Sequence, residues 1–184
     1  MTMKKNTVLW SVLAAFVAAA FMAAPAVFAA DKYNPAATST DFDDWRMECQ
    51  TKDGKKTCHA FQKIATKDKK QIVLAAVVSV VKVQKTGETV AILNLISPLG
   101  VRLTPGMAIQ IEKEKQVNVP YQICTGIGCS ASLKLDGDLL AKAKNGKQAL
   151  VAYQRAGAKP DTFALSLKGL GKTIDVLTRN LSGE

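Results

Sequence analysis

Cysteine and histidine are the side chains here best suited to metal or redox chemistry, and they meet in the stretch Cys49-Gln50-Thr51-Lys52-Asp53-Gly54-Lys55-Lys56-Thr57-Cys58-His59, which holds the chain's only histidine. Metal ligation, thiol exchange and a disulfide staple are all open to such a stretch. A zinc site needs four donors, commonly at C-x-x-C or H-x-x-x-H spacing, and neither spacing occurs. Thiol exchange wants C-x-x-C, where spacing and a helix N-terminus lower the thiol pKa. A staple fits the local backbone. Asp53-Gly54 is a favoured two-residue hairpin turn, because both residues tolerate positive φ. Centred there, the hairpin pairs Lys52 with Lys55, Thr51 with Lys56, Gln50 with Thr57 and Cys49 with Cys58. The cysteines fall at a non-hydrogen-bonded position, where side chains approach most closely, within reach of a cross-strand disulfide. Trp45, Met47 and Cys49 share one face, so the bridge is expected to point inward and His59 outward.

The other two cysteines are Cys124 and Cys129, separated by Thr125-Gly126-Ile127-Gly128. Two glycines in so short a gap suggest a tight loop closed by a local disulfide. Four cysteines allow three connectivities; the spacing favours Cys49–Cys58 with Cys124–Cys129. Other catalytic signatures are weak. A Ser-His-Asp triad would depend on His59, and no G-x-S-x-G elbow occurs. Ser79-Val80-Val81-Lys82 matches S-x-x-K, but in a strand-like run Ser79 and Lys82 face opposite sides. Paired acids such as Asp43 and Asp44, or Asp136 and Asp138, sit beside turns and caps. There is no P-loop and no dinucleotide fingerprint. The residues point to no enzyme, no metal and no cofactor.

The elements that carry these residues read as short strands. Residues 72–84 are rich in β-branched side chains and read as a central strand. Thr86-Gly87 turns into a strand over 88–96, and Ser97-Pro98-Leu99-Gly100 breaks it. Short strands are expected over 101–103 and 107–112, then 117–124 and 129–135 around the second cysteine loop. A short helix is expected over 137–144, capped by Asp136 and closed by Gly146. Residues 148–155 and 162–168 form a hairpin. Leu170, Ile174, Leu177 and Leu181 recur at helical spacing and give a C-terminal helix. Many short strands with regular turns argue for an antiparallel sandwich or barrel.

Residues 1–29 read as a secretory signal peptide: Lys4-Lys5, an uncharged apolar run from Val8 to Ala24, and a small-residue exit that places cleavage after Ala29. Residues 30–41, polar and without periodicity, read as a flexible segment, and 42–184 as a single domain. Roughly 155 residues then remain, enough for one core. No later apolar run is long enough to span a bilayer as a helix. The chain carries a formal charge of +10, about +8 once the leader is gone. Export places disulfides in an oxidising compartment and sets a basic protein among anionic envelope components. The cations are mostly Lys rather than the Arg forks favoured for base and phosphate recognition, so nucleic acid is a poor partner.

The ordered set of residues resembles a known family. Phe42-x-x-Trp45-x-x-x-Cys49, Cys58, Gln62, Pro98-Leu99-Gly100-Val101-x-Leu103, Gly106-Met107, Pro120-Tyr121-x-x-Cys124-x-x-x-Gly128-Cys129 and Leu165-Ser166-Leu167-Lys168-Gly169-Leu170 are similar to the pattern of the invasion-associated locus B (IalB) proteins. The family commonly carries phenylalanine where this chain has Leu170. The resemblance implies an immunoglobulin-like β-sandwich, a periplasmic, outer-membrane-associated or secreted location, and no established enzymatic activity. It transfers no catalytic or ligand residue, and the cysteine pairs carry over as structural. The function expected is binding of an anionic envelope component or a host or partner surface. The candidate surface combines Lys52, Lys55 and Lys56 with Lys67, Lys69 and Lys70. The alternative is a periplasmic accessory or chaperone-like factor that adds a partner's strand to an exposed sheet edge.

Overall fold

Alternating apolar residues become alternating buried positions along most strands. The computed structural model describes residues 37–182, as eleven strands and two helices. The expected leader over 1–29, with its cleavage point, and residues 30–36 lie outside the described residues. A meander runs through β1 (Thr38–Phe42), β2 (Trp45–Lys52), β3 (Lys55–Ala65), β4 (Ile72–Lys82) and β5 (Thr89–Ser97). The chain then crosses to a second sheet for β6 (Met107–Ile111) and β7 (Val117–Val119), and returns for β8 (Tyr121–Thr125) and β9 (Gly128–Leu135). Helix α1 (Gly137–Asn145) leads back to the hairpin of β10 (Gln148–Gln154) and β11 (Pro160–Ser166), and α2 (Leu170–Ser182) follows. The seven-stranded sheet has the order β1-β2-β3-β4-β5-β9-β8, the four-stranded sheet β11-β10-β6-β7.

The result is the all-β, immunoglobulin-like antiparallel sandwich expected, with two short helices. Its core draws on both sheets: Trp45, Leu74, Val78, Leu93 and Leu95 from the larger, Met107, Ile109, Val151 and Leu165 from the smaller. Helix α2 buries Leu170, Thr173, Ile174 and Leu177, one stripe at helical spacing, against β3, β4 and α1. Three of the residues that carry the family resemblance, Trp45, Gln62 and Ser166, meet at a clasp between the sheets. The Trp45 indole donates to the Ser166 carbonyl at 3.0 Å. The Gln62 side chain accepts from the Ser166 amide at 3.0 Å and donates to the Asp44 carbonyl at 3.0 Å. The Tyr153 hydroxyl, pushed up to about 12 chiefly by burial, donates to the Val73 carbonyl at 2.6 Å and ties the sheets a second time.

Four local expectations differ. Thr38–Phe42, placed partly in a flexible segment, is an edge strand paired with Trp45–Cys49. Its side chains are mostly exposed, so it shows no apolar alternation. It is held by backbone pairing and an Arg46–Asp41 ion pair at 2.8 Å. The run 117–124 is divided at Pro120 into β7 and β8, which belong to different sheets; proline supplies no N–H to continue a ladder. Val101 makes only an isolated bridge, to Arg155, rather than a strand. Asp136 stands at the α1 N-terminus without capping it by its side chain. Its carboxylate pairs instead with Lys134 at 3.2 Å. Gly146 does close α1, its N–H bonding the Lys142 carbonyl at 2.8 Å.

Candidate functional site

The hairpin around Asp53-Gly54 has the expected register: Lys52 faces Lys55, Thr51 Lys56, Gln50 Thr57 and Cys49 Cys58. Asp53 and Gly54 both take positive φ, 52° and 73°, as a two-residue hairpin turn requires. Disulfides join Cys49 to Cys58 and Cys124 to Cys129, each with Cα atoms 4.0 Å apart. Cys49 is buried in the core and Cys58 packs against it. His59 stands opposite Glu48, with its ring 6.3 Å from that of Phe61. Among the described residues no three His, Cys, Asp or Glu side chains gather as a metal group. Ser79 and Lys82 lie on β4, where residues three apart point to opposite faces.

The structure divides the six candidate lysines into two trios. Lys52, Lys55 and Lys56 flank the β2–β3 turn, whereas Lys67, Lys69 and Lys70 lie in the β3–β4 turn. Lys55 and Lys56 open the eleven-residue β3 and the second trio follows its last residue, so about 30 Å of strand lies between the trios. A partner that engages all six must span that length, and each trio has its own surroundings.

At the first end the sheet is split. The β3–β4 ladder begins only at Ala60↔Val78, although β3 continues back to Lys55 paired with β2 and β4 continues on to Lys82 paired with β5. The separated segments enclose a hollow of about 480 Å³, closed by Leu177, Asn180 and Leu181 of α2. Lys55, Lys56 and Lys82 line it, and among the described residues no carboxylate does. Lys56 is steadied by donating to the Asn180 side chain at 2.9 Å.

At the opposite end, the turn bearing the second trio is closed by the Lys69 amide donating to the Thr66 carbonyl at 2.8 Å. Asp68 is held below the usual carboxylate range, first by the Thr66 hydroxyl and then by the Lys70 amide. This turn runs straight into Ile72. Ile72, Leu99 and Ile127 line one shallow hollow, and they are 48%, 55% and 83% exposed. Sequence reasoning missed these apolar tips. The available signal was an apolar residue between turn-formers, in Pro98-Leu99-Gly100 and Gly126-Ile127-Gly128, where the chain offers nothing to pack against. Gly128 sets the second tip: at φ 139°, an added Cβ would stand 2.2 Å from the Ser97 carbonyl oxygen. Tyr121, raised by burial, shares a hydrogen bond with the Ser97 hydroxyl at 3.1 Å and holds β8 beside the same corner.

The fold and these two ends define a disulfide-stapled β-sandwich that carries lysines at both ends of β3 and exposed apolar tips at one of them. Residues 45–178 match the Invasion associated locus B (IalB) protein family, and the chain belongs to that family. Two curated relatives are the Invasion protein B homologs of Brucella abortus strain 2308 and of Brucella abortus biovar 1 strain 9-941. Each is 28% identical over 135 residues, 73% of this chain and 75% of the relative. The crystal structure of invasion associated protein B from Bartonella henselae superposes with a TM-score of 0.68 at 20% identity, covering 79% of this chain and 98% of that one. That likeness establishes the shared fold. The family and these relatives are named for invasion, not for a catalysed reaction. Among the described residues no helix is long and apolar enough to cross a membrane.

Proposed function

We propose that this protein is an exported, non-enzymatic envelope protein that binds an anionic lipid surface through the end carrying Lys67, Lys69 and Lys70. The observation that carries the reading is the conjunction at that end of three lysines with the exposed tips Ile72, Leu99 and Ile127. Cations draw the protein to acidic headgroups and the tips enter the interface. Each lysine near such a surface contributes about 1 kcal/mol, and a fully buried Ile or Leu roughly 1.5–3 kcal/mol. Export is supported by the leader-like residues 1–29 and by two disulfides, which belong to oxidising compartments. The site is periplasmic, on the outer membrane, or outside the cell after secretion. A non-enzymatic role is supported by the positions of His59 and of Ser79 with Lys82, none of which meets catalytic partners among the described residues.

The test is flotation with vesicles of phosphatidylcholine, with and without phosphatidylglycerol. Binding is expected only to the anionic vesicles and should fall as salt rises. The triple variant Lys67→Glu, Lys69→Glu, Lys70→Glu should weaken it at least about a hundredfold. Ile127→Asp should weaken it about tenfold. Equal binding to both vesicles, or none to either, sinks the reading.

A further inference from the structure

The split between β3 and β4 exposes strand edges. Counting from the Asp53-Gly54 turn, Cys58 is a non-hydrogen-bonded partner of Cys49, so its backbone N–H and C=O point away from β2. Those of Lys56 do the same, two residues earlier. Ala60 and Val78 open the β3–β4 ladder, which places the backbone groups of Val80 and Lys82 on the facing edge of β4 by the same alternation. Between the split segments the described residues form no ladder, so polar edges face each other across the hollow. Side chains from both faces of the sheet line it: Lys55 and Val81 from one, Lys56, Val80 and Lys82 from the other. The hollow is thus a slot through the sheet, floored on the α2 side by Leu177 and Leu181.

We propose that this slot accepts an extended acidic segment of another polypeptide, which adds a short strand between β3 and β4. Each wall offers about four residues, or about 13 Å, enough for a four-residue strand. Backbone donors and acceptors on both walls suit a peptide, which supplies both. They do not suit an acyl chain, which would take water from these groups and return no hydrogen bond. Lys55, Lys56 and Lys82, with no carboxylate among the described lining residues, select negative side chains. One face of the peptide meets Lys55 and Val81 and the other meets Lys56, Val80 and Lys82 above Leu177 and Leu181, so acidic side chains find a lysine on either face. The assignment goes beyond lipid binding and does not depend on it, because it uses the opposite end of the sheet.

The probe is a dye-labelled six-residue peptide alternating aspartate and valine, followed by fluorescence anisotropy with the full chain. It should bind, and hydrogen exchange at the amides of Cys58 and Val80 should slow. A peptide alternating lysine and valine should not bind, and N-methylation of alternate amides in the acidic peptide should abolish binding. The pair Lys55→Glu, Lys82→Glu should weaken binding at least about tenfold, while Lys67→Glu, Lys70→Glu should leave it unchanged. Failure of the acidic peptide to bind overturns the assignment. So does full binding by its N-methylated form, or displacement by dodecanoate below its micellar concentration, which would mark the slot as an acyl site. Loss of vesicle binding in the second-end variants with peptide binding intact would separate this inference from the lipid reading.

Discussion

Removing the Cys49–Cys58 bridge tests whether it acts as a staple. The double variant Cys49→Ala, Cys58→Ala frees a loop with a sequence separation of nine. With about ten residues in the closed loop, the chain-entropy relation gives about 2.7 kcal/mol at 25 °C, all of it through the unfolded state. Cys49 is 3% exposed and sits in the core, so truncation there adds about 1 kcal/mol of lost packing. The hairpin itself should persist, because its register rests on the positive φ of Asp53 and Gly54 and on cross-strand pairing. The expected loss is therefore about 3–4 kcal/mol against a typical total of roughly 5–15 kcal/mol. Urea unfolding followed by far-UV circular dichroism measures it. The midpoint should fall, and the m-value should rise because the unlinked chain expands. Treating a Cys124→Ala, Cys129→Ala variant, in which Cys49–Cys58 is the bridge left to cleave, with a phosphine reductant should reproduce most of the shift. A loss below about 1 kcal/mol, or reduction that leaves the midpoint in place, would refute the staple reasoning.

Two further predictions concern the corner at Ser97 and the acid response. Gly128→Ala should cost about 3 kcal/mol or more, because φ 139° and a 2.2 Å approach to backbone oxygen leave no room for Cβ. Gly126→Ala, with nothing within 4 Å, should change stability by less than about 1 kcal/mol, and thermal unfolding of the two variants decides the point. Glu112 is held below its ordinary 4.5, first by the Lys147 amide and then by the Gln148 amide. A lowered folded-state value means that its stabilisation is present above about pH 4.5 and fades as pH falls through the folded value. The Tm gap between wild type and Glu112→Gln should accordingly be open at pH 7 and close toward pH 3. A constant gap would exclude the carboxylate as the source.

What was legible in the sequence was local. The turn at Asp53-Gly54 sets a register within ten residues, and that register by itself pairs Cys49 with Cys58. The stripe of Leu170, Ile174 and Leu177 marks α2 for the same reason: periodicity records which face is buried whatever covers it. Less legible were elements whose side chains carry no burial signal, such as β1, where backbone pairing does the holding. Pro120 could be read as a break, yet nothing nearby told that the strands on its two sides join different sheets.

The candidate sites divide along the same line. Composition and the close spacing of the cysteines determined that the chain is basic and able to form two local disulfides. Only the tertiary structure decided that six lysines form two groups at opposite ends of β3, because one strand's length separates turns that lie close in sequence. Only it brought Ile72, Leu99 and Ile127, far apart along the chain, to one corner. It also parted β3 from β4 where neighbouring strands would ordinarily pair, since β3 follows β2 there and β4 follows β5. Short-range backbone preference specifies turns and strands; which edges meet, and which stay open, is settled by long-range pairing and by the helix that packs across them.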